Sequence, residues 1–215
     1  MIKKIKASLH EKLILTFLIL LGIFALSFTV IVKNKCLFVK NFDPQKINFE
    51  KPNNIVVLNA ECGNVIIELY PEISPNGVER FKKLADEKKY DGVVFHRVID
   101  GFMAQTGDVQ FGNSSNDNFD IGRAGTGGSS YPDLKAEFSD LPHERGTLSM
   151  ARSSDPDSAN SQFFICFKQS SFLDRQYTVF GKVVSGMEFV DLIKKGEGSN
   201  GEVNDPDKIV SLSSK

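Results

Sequence analysis

Residues 95–108, FHRVIDGFMAQTGD, decide how this sequence folds. The stretch has the apolar pattern of strands that place one face against a protein interior. The positions that follow the pattern are Phe95, Val98, Phe102 and Met103. Arg97 and Gln105 interrupt it, and a permanent charge on such a strand requires a partner or a function.

Short β-rich segments occur on both sides of this stretch. They predict strands at 55–59, 64–69, 93–98, 103–107, 147–151, 162–167, 177–184 and 208–212. Ser74 as N-cap and Pro75 at the first position predict a helix that ends near Lys89, and a second helix is predicted at 187–194. Many short strands with two helices predict a mainly β domain, a closed barrel capped by the helices, because closure leaves no strand edge unpaired.

The N-terminal region has a different composition. Residues 13–32 carry no charge, and a helix of this length spans roughly 30 Å, the thickness of the hydrocarbon core of a bilayer. We predict a transmembrane signal-anchor helix at 13–32, after a short basic leader at 1–12 and before a polar linker at 33–53. The alternative is a secretory signal that is cleaved near Ala25 to Ser27. The globular domain is predicted at 54–215.

The composition excludes several classes of function. The formal net charge of the 215 residues is −1, so binding to nucleic acid is not predicted. Cys36, Cys62 and Cys166 are spaced too irregularly for a disulfide framework or a CxxC metal site, although a bridge between Cys62 and Cys166 stays open. The three histidines are too dispersed for a three-histidine metal site, and neither a metal nor another cofactor is predicted.

Four blocks of the sequence together resemble the cyclophilin family of peptidyl-prolyl cis-trans isomerases, in a bacterial-like form. They are FHRVIDGFMAQTGD at 95–108, GTGG at 125–128, MARSSDPDSANSQFFI at 150–165 and FLDRQYTVFGKVVSGM at 172–187. The resemblance covers about residues 55–213, in the order and spacing of the family. It implies an eight-stranded antiparallel β-barrel capped by two α-helices.

The resemblance also implies a site, position by position. Arg97 matches the catalytic arginine of the family, and Gln105 matches the glutamine that supports it. The substrate-binding residues that it implies are Phe102, Met103, Ala151, Arg152, Gln162, Phe164, Phe172, Leu173 and Tyr177. The main chain at Ala151 and Arg152 is expected to bind the substrate backbone. Phe172 stands where many members carry Trp, so the inhibitor cyclosporin is predicted to bind weakly.

The predicted chemistry breaks no bond. Uncatalysed rotation about an X-Pro bond takes roughly 10 to 100 s, against a barrier of about 20 kcal/mol. Rotation localises the lone pair of the prolyl nitrogen, so a donor aimed at this atom binds the twisted state more tightly than either planar isomer. A guanidinium suits this task because it stays protonated at physiological pH.

The sequence therefore predicts a peptidyl-prolyl cis-trans isomerase that accelerates X-Pro rotation during the folding of exported proteins. Its partners would be proline-containing polypeptides and, through the N-terminal helix, a membrane, with a monomeric catalytic domain on the exported, periplasmic side. The alternative is a membrane-tethered proline-peptide binding module or holdase without significant turnover. Arg97 and Gln105 favour catalysis, because a mere binder has no use for a donor aimed at the prolyl nitrogen.

Overall fold

The computed structural model of the chain describes residues 8–33, 35–37, 39, 43–44 and 47–214. The chain divides into two compact units, Met1–Phe38 and Val39–Lys215. The first contains helix α1 (Leu9–Lys33). Most of the predicted basic leader at 1–12 and parts of the predicted linker at 33–53 lie outside the described residues.

Helix α1 includes the segment that was predicted to cross a membrane. Within the described ranges, no helix is both long enough and apolar enough to span a bilayer. The transmembrane prediction for 13–32 is therefore not supported, although the helical conformation predicted for this segment is confirmed.

The second unit is built on eight antiparallel strands, and each lies at or within a few residues of a predicted one. They are β1 (Ile55–Ala60), β2 (Gly63–Leu69), β3 (Arg97–Ile99), β4 (Met103–Thr106), β5 (Thr147–Met150), β6 (Phe163–Cys166), β7 (Val179–Ser185) and β8 (Ile209–Ser214). Their order across the sheet is β3-β4-β6-β5-β7-β2-β1-β8. The predicted eight-stranded antiparallel architecture is confirmed.

The sheet is curled, but its ladder does not close into the predicted barrel. Strands β3 and β8 are its two edges. The chain next to these edges meets at isolated bridges, Val94 with Lys208 and Arg97 with Glu202, and at separate main-chain hydrogen bonds such as that from the Gly92 amide to the Ile209 carbonyl (2.8 Å). A continuous ladder does not form there because Asp205, with φ of 53°, turns the chain out of the extended conformation just before β8.

Two helices accompany the sheet, as predicted, and both end earlier than predicted. Helix α2 (Pro75–Asp86) buries Phe81 and Leu84 in the core, whereas α3 (Met187–Asp191) has little more than one turn. Pro75 is the first residue of α2, because a proline at this position loses no hydrogen bond. Ser74 is the N-cap, as predicted, but its side chain makes no capping hydrogen bond to the helix.

The carboxylate of Glu137 caps α2 instead. It accepts hydrogen bonds from the amides of Asn76 (3.1 Å) and Gly77 (3.0 Å) and from the hydroxyl of Ser74 (2.7 Å). Burial acts against the charged carboxylate, but these donors outweigh it and lower the pKa of Glu137. The cap ties the loop before β5 to the start of α2.

The cysteines depart from the prediction. Cys62 lies in the turn between β1 and β2 and is disulfide-bonded, as is Cys36. Cys166 is free and buried, so a bridge between Cys62 and Cys166 does not exist. The disulfide chemistry was missed because the spacing of cysteines along a sequence does not show which ones meet in space.

Candidate active site

A row of hydrogen-bonded side chains crosses the sheet from the loop at 125–127 to Arg97. The antiparallel register places Arg97 directly opposite Gln105. Arg97 Nη1 donates to Gln105 Oε1 (3.2 Å), and Gln105 Nε2 donates to Gln162 Oε1 (3.0 Å). Gln162 Nε2 in turn donates to the carbonyls of Gly125 (2.9 Å) and Gly127 (2.8 Å). This row, which runs from Gly125 and Gly127 through Gln162 and Gln105 to Arg97, is here called the polar wall. Each side-chain amide orients the next, so the polar wall fixes the direction in which the Arg97 guanidinium points.

The other side of the Arg97 guanidinium is fixed by main chain. Its Nε donates to the carbonyl of Asn200 (2.9 Å), 103 residues away in sequence. Within the described residues, Nη2 of Arg97 has no hydrogen bond to protein. The guanidinium is thus anchored at two nitrogens and keeps a third as a donor for a ligand.

Arg97 lies partly out of water. Its partial burial lowers the pKa of the guanidinium, but an arginine in a protein keeps its proton at any physiological pH. A charged donor with reduced solvation interacts more strongly with a ligand than one in bulk water does.

An apolar cluster lies beside the polar wall and is separate from the main core. Its buried members are Met103, Ala151, Phe164, Cys166 and Leu173, with Ile99, Phe102 and Tyr177 packed against them. Phe164 and Tyr177 meet edge to face at 5.7 Å between ring centroids. This cluster, here called the apolar wall, has the size and composition of a pocket for a small apolar ring.

The two walls enclose one cavity of about 380 Å³, here called the Arg97 cavity. Its lining contains ten of the eleven residues predicted for the site: Arg97, Phe102, Met103, Gln105, Ala151, Arg152, Phe164, Phe172, Leu173 and Tyr177. The eleventh, Gln162, lines the adjoining cavity. Gln176, which the sequence did not single out, completes the Arg97 cavity.

Phe172 lines the Arg97 cavity but is not a member of the apolar wall, and it is mostly exposed. Its side chain is 65% accessible, and its ring lies 5.3 Å from the ring of Phe102. Phe172 therefore forms the rim of the Arg97 cavity and not its floor.

The main chain at Ala151 and Arg152 only partly matches its predicted role. The Ala151 amide donates to the carbonyl of Gln162 (2.9 Å), so it is already used within the fold. Among the described residues, the amide and carbonyl of Arg152 have no such partner, and they remain for a substrate backbone.

The side chain of Arg152 has a separate structural task. Its guanidinium lies 4.5 Å from the centroid of the Tyr177 ring, an attractive cation–π distance. Its Nη2 and Nε donate to the carbonyl of Gln176 (3.0 and 3.3 Å), and Nη1 donates to that of Ser153 (2.8 Å). Arg152 therefore joins two segments of the cavity lining.

A second cavity of about 450 Å³, here called the Gly127 cavity, adjoins the first and shares Gln105, Ala151 and Arg152 with it. Asp108 lies behind its lining and holds the loops that form it. This fully buried carboxylate accepts four main-chain hydrogen bonds, from Gln110, Phe111, Gly125 and Gly127 at 2.8 to 3.0 Å. Sequence reasoning missed Asp108, although a carboxylate directly after the Gly107 turn is a signal for such a loop anchor.

His143 supports the apolar wall from behind. Its fully buried ring contacts Asp174 Oδ1 through Nδ1 (2.9 Å) and Ser149 Oγ through Nε2 (2.9 Å), and it stacks 6.2 Å from Phe164. Burial lowers the pKa of His143, while the Asp174 carboxylate acts in the opposite direction. The three side chains resemble a serine triad in composition, but Ser149 is fully buried and out of reach of a substrate.

His96 lies behind the polar wall, against Gly125. Burial lowers its pKa to about 4, and the nearby Asp108 carboxylate only partly offsets this. Its Nδ1 is buried without a hydrogen-bond partner among the described residues. His96 is therefore neutral at pH 7, as expected for a packing residue.

The arrangement offers donors and an apolar pocket, and it lacks an activated nucleophile. Burial raises the pKa of the Cys166 thiol to about 12, so no thiolate forms at neutral pH. Within the described part of the chain, no group of three or more His, Cys, Asp or Glu side chains is arranged to hold a metal ion. What the site can do is bind a small ring and present a fixed cationic donor to it.

The chain is similar to known proteins in sequence. A family model described as cyclophilin type peptidyl-prolyl cis-trans isomerase/CLD matches residues 55–214. A probable peptidyl-prolyl cis-trans isomerase of Brucella suis is 60% identical over 160 residues, which cover 74% of this chain and 81% of the relative. Peptidyl-prolyl cis-trans isomerase B of Bacillus subtilis is 44% identical over 140 residues, which cover 64% and 88%.

The chain is also similar to solved structures of cyclophilins, at lower sequence identity. Cyclophilin AquaCyp293 from Hirschia baltica superposes with a TM-score of 0.63 at 26% identity, covering 82% of this chain and 81% of its own. A cyclophilin type peptidyl-prolyl cis-trans isomerase of Cryptosporidium parvum, crystallised in the presence of the dipeptide Ala-Pro, has a TM-score of 0.62 at 25% identity and covers 75% and 98%.

Proposed function

The chain belongs to the cyclophilin family of peptidyl-prolyl cis-trans isomerases and has this activity, and we propose that Arg97 catalyses it. The proline ring of the substrate enters the Arg97 cavity and packs on the apolar wall. The free Nη2 of Arg97 then donates to the prolyl nitrogen as the X-Pro bond twists. This contact exists only in the twisted state, so it lowers the barrier without tightening the ground state.

One observation carries the proposal: Arg97 is anchored at Nη1 and Nε, has an unused Nη2, and lines the same cavity as Phe102, Met103 and Phe164. A donor that is already oriented needs no reorganisation during the reaction. Phe102 and Phe164 offer the flat apolar surfaces on which a pyrrolidine ring packs. The Ala-Pro dipeptide used with the Cryptosporidium relative supports a proline-containing ligand.

The energy required is within the reach of such a site. Raising a rate of about 0.01 to 0.1 per second to about 100 to 1,000 per second lowers the barrier by roughly 4 to 7 kcal/mol. Removing one oriented donor from an oxyanion hole costs about 10² to 10³ in rate. A charged donor together with a pocket that grips the ring therefore suffices.

The test is turnover of a short X-Pro peptide by the full chain, followed by NMR exchange spectroscopy. Arg97→Ala is expected to lower kcat/KM by about 10² to 10³, because the transition-state donor is lost. Arg97→Lys is expected to recover little, since an ammonium lacks the second anchored nitrogen.

The matched control is Arg145→Ala, which removes an arginine with an exposed ion pair to Asp191 and is expected to keep full activity. Full activity in Arg97→Ala would overturn the proposed role. Binding of the peptide without turnover by the wild-type chain would instead favour the alternative, a proline-peptide binding module.

We also propose that the chain acts as a monomer on the exported side of a membrane. The Arg97 cavity has both its polar and its apolar wall within one copy of the chain, so the proposed reaction does not require a second copy. Export is supported by Lys3, Lys4 and Lys6 before the uncharged residues 13–32, a composition typical of export signals. An alkaline phosphatase reporter fused after residue 54 is expected to be active in a bacterial host, and an inactive fusion would count against export. The mass of the recovered protein then shows whether the N-terminal segment is retained.

A further inference from the structure

The groove that begins at Arg97 does not end at the Gly127 cavity. A third cavity of about 620 Å³, here called the Tyr131 cavity, follows and shares Gln110, Gly128 and Ser129 with the Gly127 cavity. The three cavities thus form one continuous row from β3 to the C-terminal end of α2. The third is the largest of the three, and it has no part in the isomerisation step.

The wall between the second and third cavities is rigidly built. Asn160 Oδ1 accepts hydrogen bonds from the amide and the hydroxyl of Ser129, both at 2.7 Å. Asn160 Nδ2 donates to the carbonyl of Tyr131 (3.0 Å). The segment 129–131 therefore keeps its conformation without a ligand, as a preformed binding surface does.

Helix α2 is tied to the same segment. Tyr131 Oη donates to Glu87 (2.6 Å), and Arg80 Nη2 donates to the carbonyl of Pro132 (2.8 Å). The ammonium of Lys83 lies 4.1 Å from the centroid of the Tyr131 ring. These contacts fix both sides of the Tyr131 cavity relative to each other.

The lining of the Tyr131 cavity has the groups that recognise an extended peptide. Val109 contributes a partly exposed apolar side chain, and Leu84 lies beneath it as a member of the main core. Across residues 47–214, the amides of Gly128 and Ser130 have no hydrogen-bond acceptor, so both can pair with a peptide backbone. Main-chain pairing of this kind binds an extended segment with little regard to its sequence.

The lining of the Tyr131 cavity holds one cation and one anion, Lys89 and Glu87, and the anion is already bound by the Tyr131 hydroxyl. Lys89 lines the cavity with an exposed ammonium that has neither an ion pair nor a hydrogen bond within the described chain. Arg80 and Lys83 pack on Tyr131 nearby, and Glu87 is the one acidic side chain in the lining. A carboxylate is the side chain that Lys89 attracts.

We propose that the Tyr131 cavity is a remote subsite for the polypeptide whose X-Pro bond lies in the Arg97 cavity, and that it prefers an acidic residue. The inference rests on the proposed function. The preferred substrate is then an extended, unfolded segment and not a folded loop with one exposed proline. About six extended residues, at roughly 3.3 Å each, span about 20 Å of groove.

The test compares X-Pro peptides of different length and charge on the full chain by NMR exchange. The reference is a tetrapeptide, and the others add six residues before or after it, with either a glutamate pair or a glutamine pair at the far end. One direction of extension is expected to lower KM about fivefold, as one or two additional hydrogen bonds do. In that direction, the glutamate peptide is expected to bind about two- to fivefold better than the glutamine peptide at low salt.

Lys89→Glu is expected to reverse the preference between the glutamate and glutamine peptides. The matched control is Lys88→Glu, which makes the same charge change one residue away, outside the cavity lining, and is expected to keep the preference. Equal KM for all lengths, or an equal change in both variants, would overturn the subsite. Turnover of the tetrapeptide tests the proposed function separately, so failure of the one is distinct from failure of the other.

Discussion

The two walls of the Arg97 cavity are stabilised by different forces. The polar wall is a row of hydrogen bonds that runs from the Gly127 carbonyl through Gln162 and Gln105 to Arg97. The side chains of the apolar wall around Phe164 meet by packing, and in the described part of the chain no hydrogen bond joins one of them to another. Hydrogen bonds are directional and packing is not, so the first wall fixes where a donor points and the second fixes the shape of a pocket.

The two walls therefore act on two different steps of the reaction, binding of the proline ring and rotation of the X-Pro bond. A wall that recognises the ring contributes equally to the planar and twisted states, so damage to it raises KM. A wall that aims a donor contributes only to the twisted state, so damage to it lowers kcat. The predictions below test this division.

The largest effect is expected at the apolar wall. Phe164 is 4% exposed, so Phe164→Ala is expected to lower the free energy of unfolding by about 3 to 5 kcal/mol. The same variant is expected to raise KM more than it lowers kcat, because Arg97 and its partners are untouched. Urea unfolding and steady-state kinetics measure the two effects. A fall in kcat at constant KM would break the division between the walls.

The next effect is a dependence of stability on pH. Because burial lowers the pKa of His96 from 6.5 to about 4, the unfolded chain binds a proton more readily than the folded one. The contribution of His96 to the free energy of unfolding is fully present above about pH 6.5. It is lost as the pH falls towards 4, and the loss amounts to about 3 kcal/mol, at roughly 1.4 kcal/mol per unit of pKa shift. His143, whose pKa burial also lowers, acts in the same direction.

Urea midpoints between pH 7 and pH 4.5 measure this loss, and His96→Gln is expected to reduce it. Activity of the folded protein is expected to stay nearly constant from about pH 6 to 8.5, since neither wall transfers a proton. A bell-shaped activity profile centred near 6.5 would contradict this and would point to a histidine acid or base.

A smaller effect is expected at the polar wall. Gln105→Leu removes the acceptor of Arg97 Nη1 and is expected to lower kcat about tenfold, with KM nearly unchanged. Gln105→Glu keeps an acceptor for Arg97 but loses the donor to Gln162, so its kcat is expected to lie between those of the wild type and Gln105→Leu. A change confined to KM would show that Gln105 shapes the pocket and does not orient the donor.

The smallest effect is expected at the rim. Because Phe172 is 65% exposed, Phe172→Trp is expected to change turnover of an X-Pro peptide by less than about twofold. The indole adds an N–H donor at the rim, so cyclosporin, which is predicted to bind the wild-type chain weakly, is expected to bind this variant more tightly in a calorimetric titration. Tight binding by the wild-type chain would contradict the prediction from the sequence.

Much of this fold is predictable because its signals are local. Alternating apolar residues predict all eight strands, and Ser74 with Pro75 predicts the start of α2. Closure of the barrel is not predictable in this way, since it depends on how the chain near Asp205 meets the segment before β3. The composition of the apolar N-terminal segment is likewise not enough to predict its role.

In the site, the residues that line the cavity were predictable from the sequence, whereas the groups that hold them in place were not. The family resemblance predicts the residues that line the cavity, because they occur in three of its four recognisable blocks, 95–108, 150–165 and 172–187. It does not predict the groups that hold them, such as the Asn200 carbonyl or the Asp174 carboxylate behind His143. Those partners are distant in sequence and act through main chain or single atoms, which no pattern of residue types records.

The contact between Arg97 and Asn200 has a consequence for how this loop tolerates change. The acceptor is a peptide carbonyl, so the Asn200 side chain does not bind the guanidinium itself and instead donates to Glu202 Oε1 (3.0 Å) within the same turn. Gly201 is not free to vary, because its φ is 71° and an added Cβ would lie 2.5 Å from a side-chain carbon of Ile99. Insertions or deletions in this turn would therefore misalign the guanidinium more than a change of the Asn200 side chain, which acts on Arg97 only through the turn.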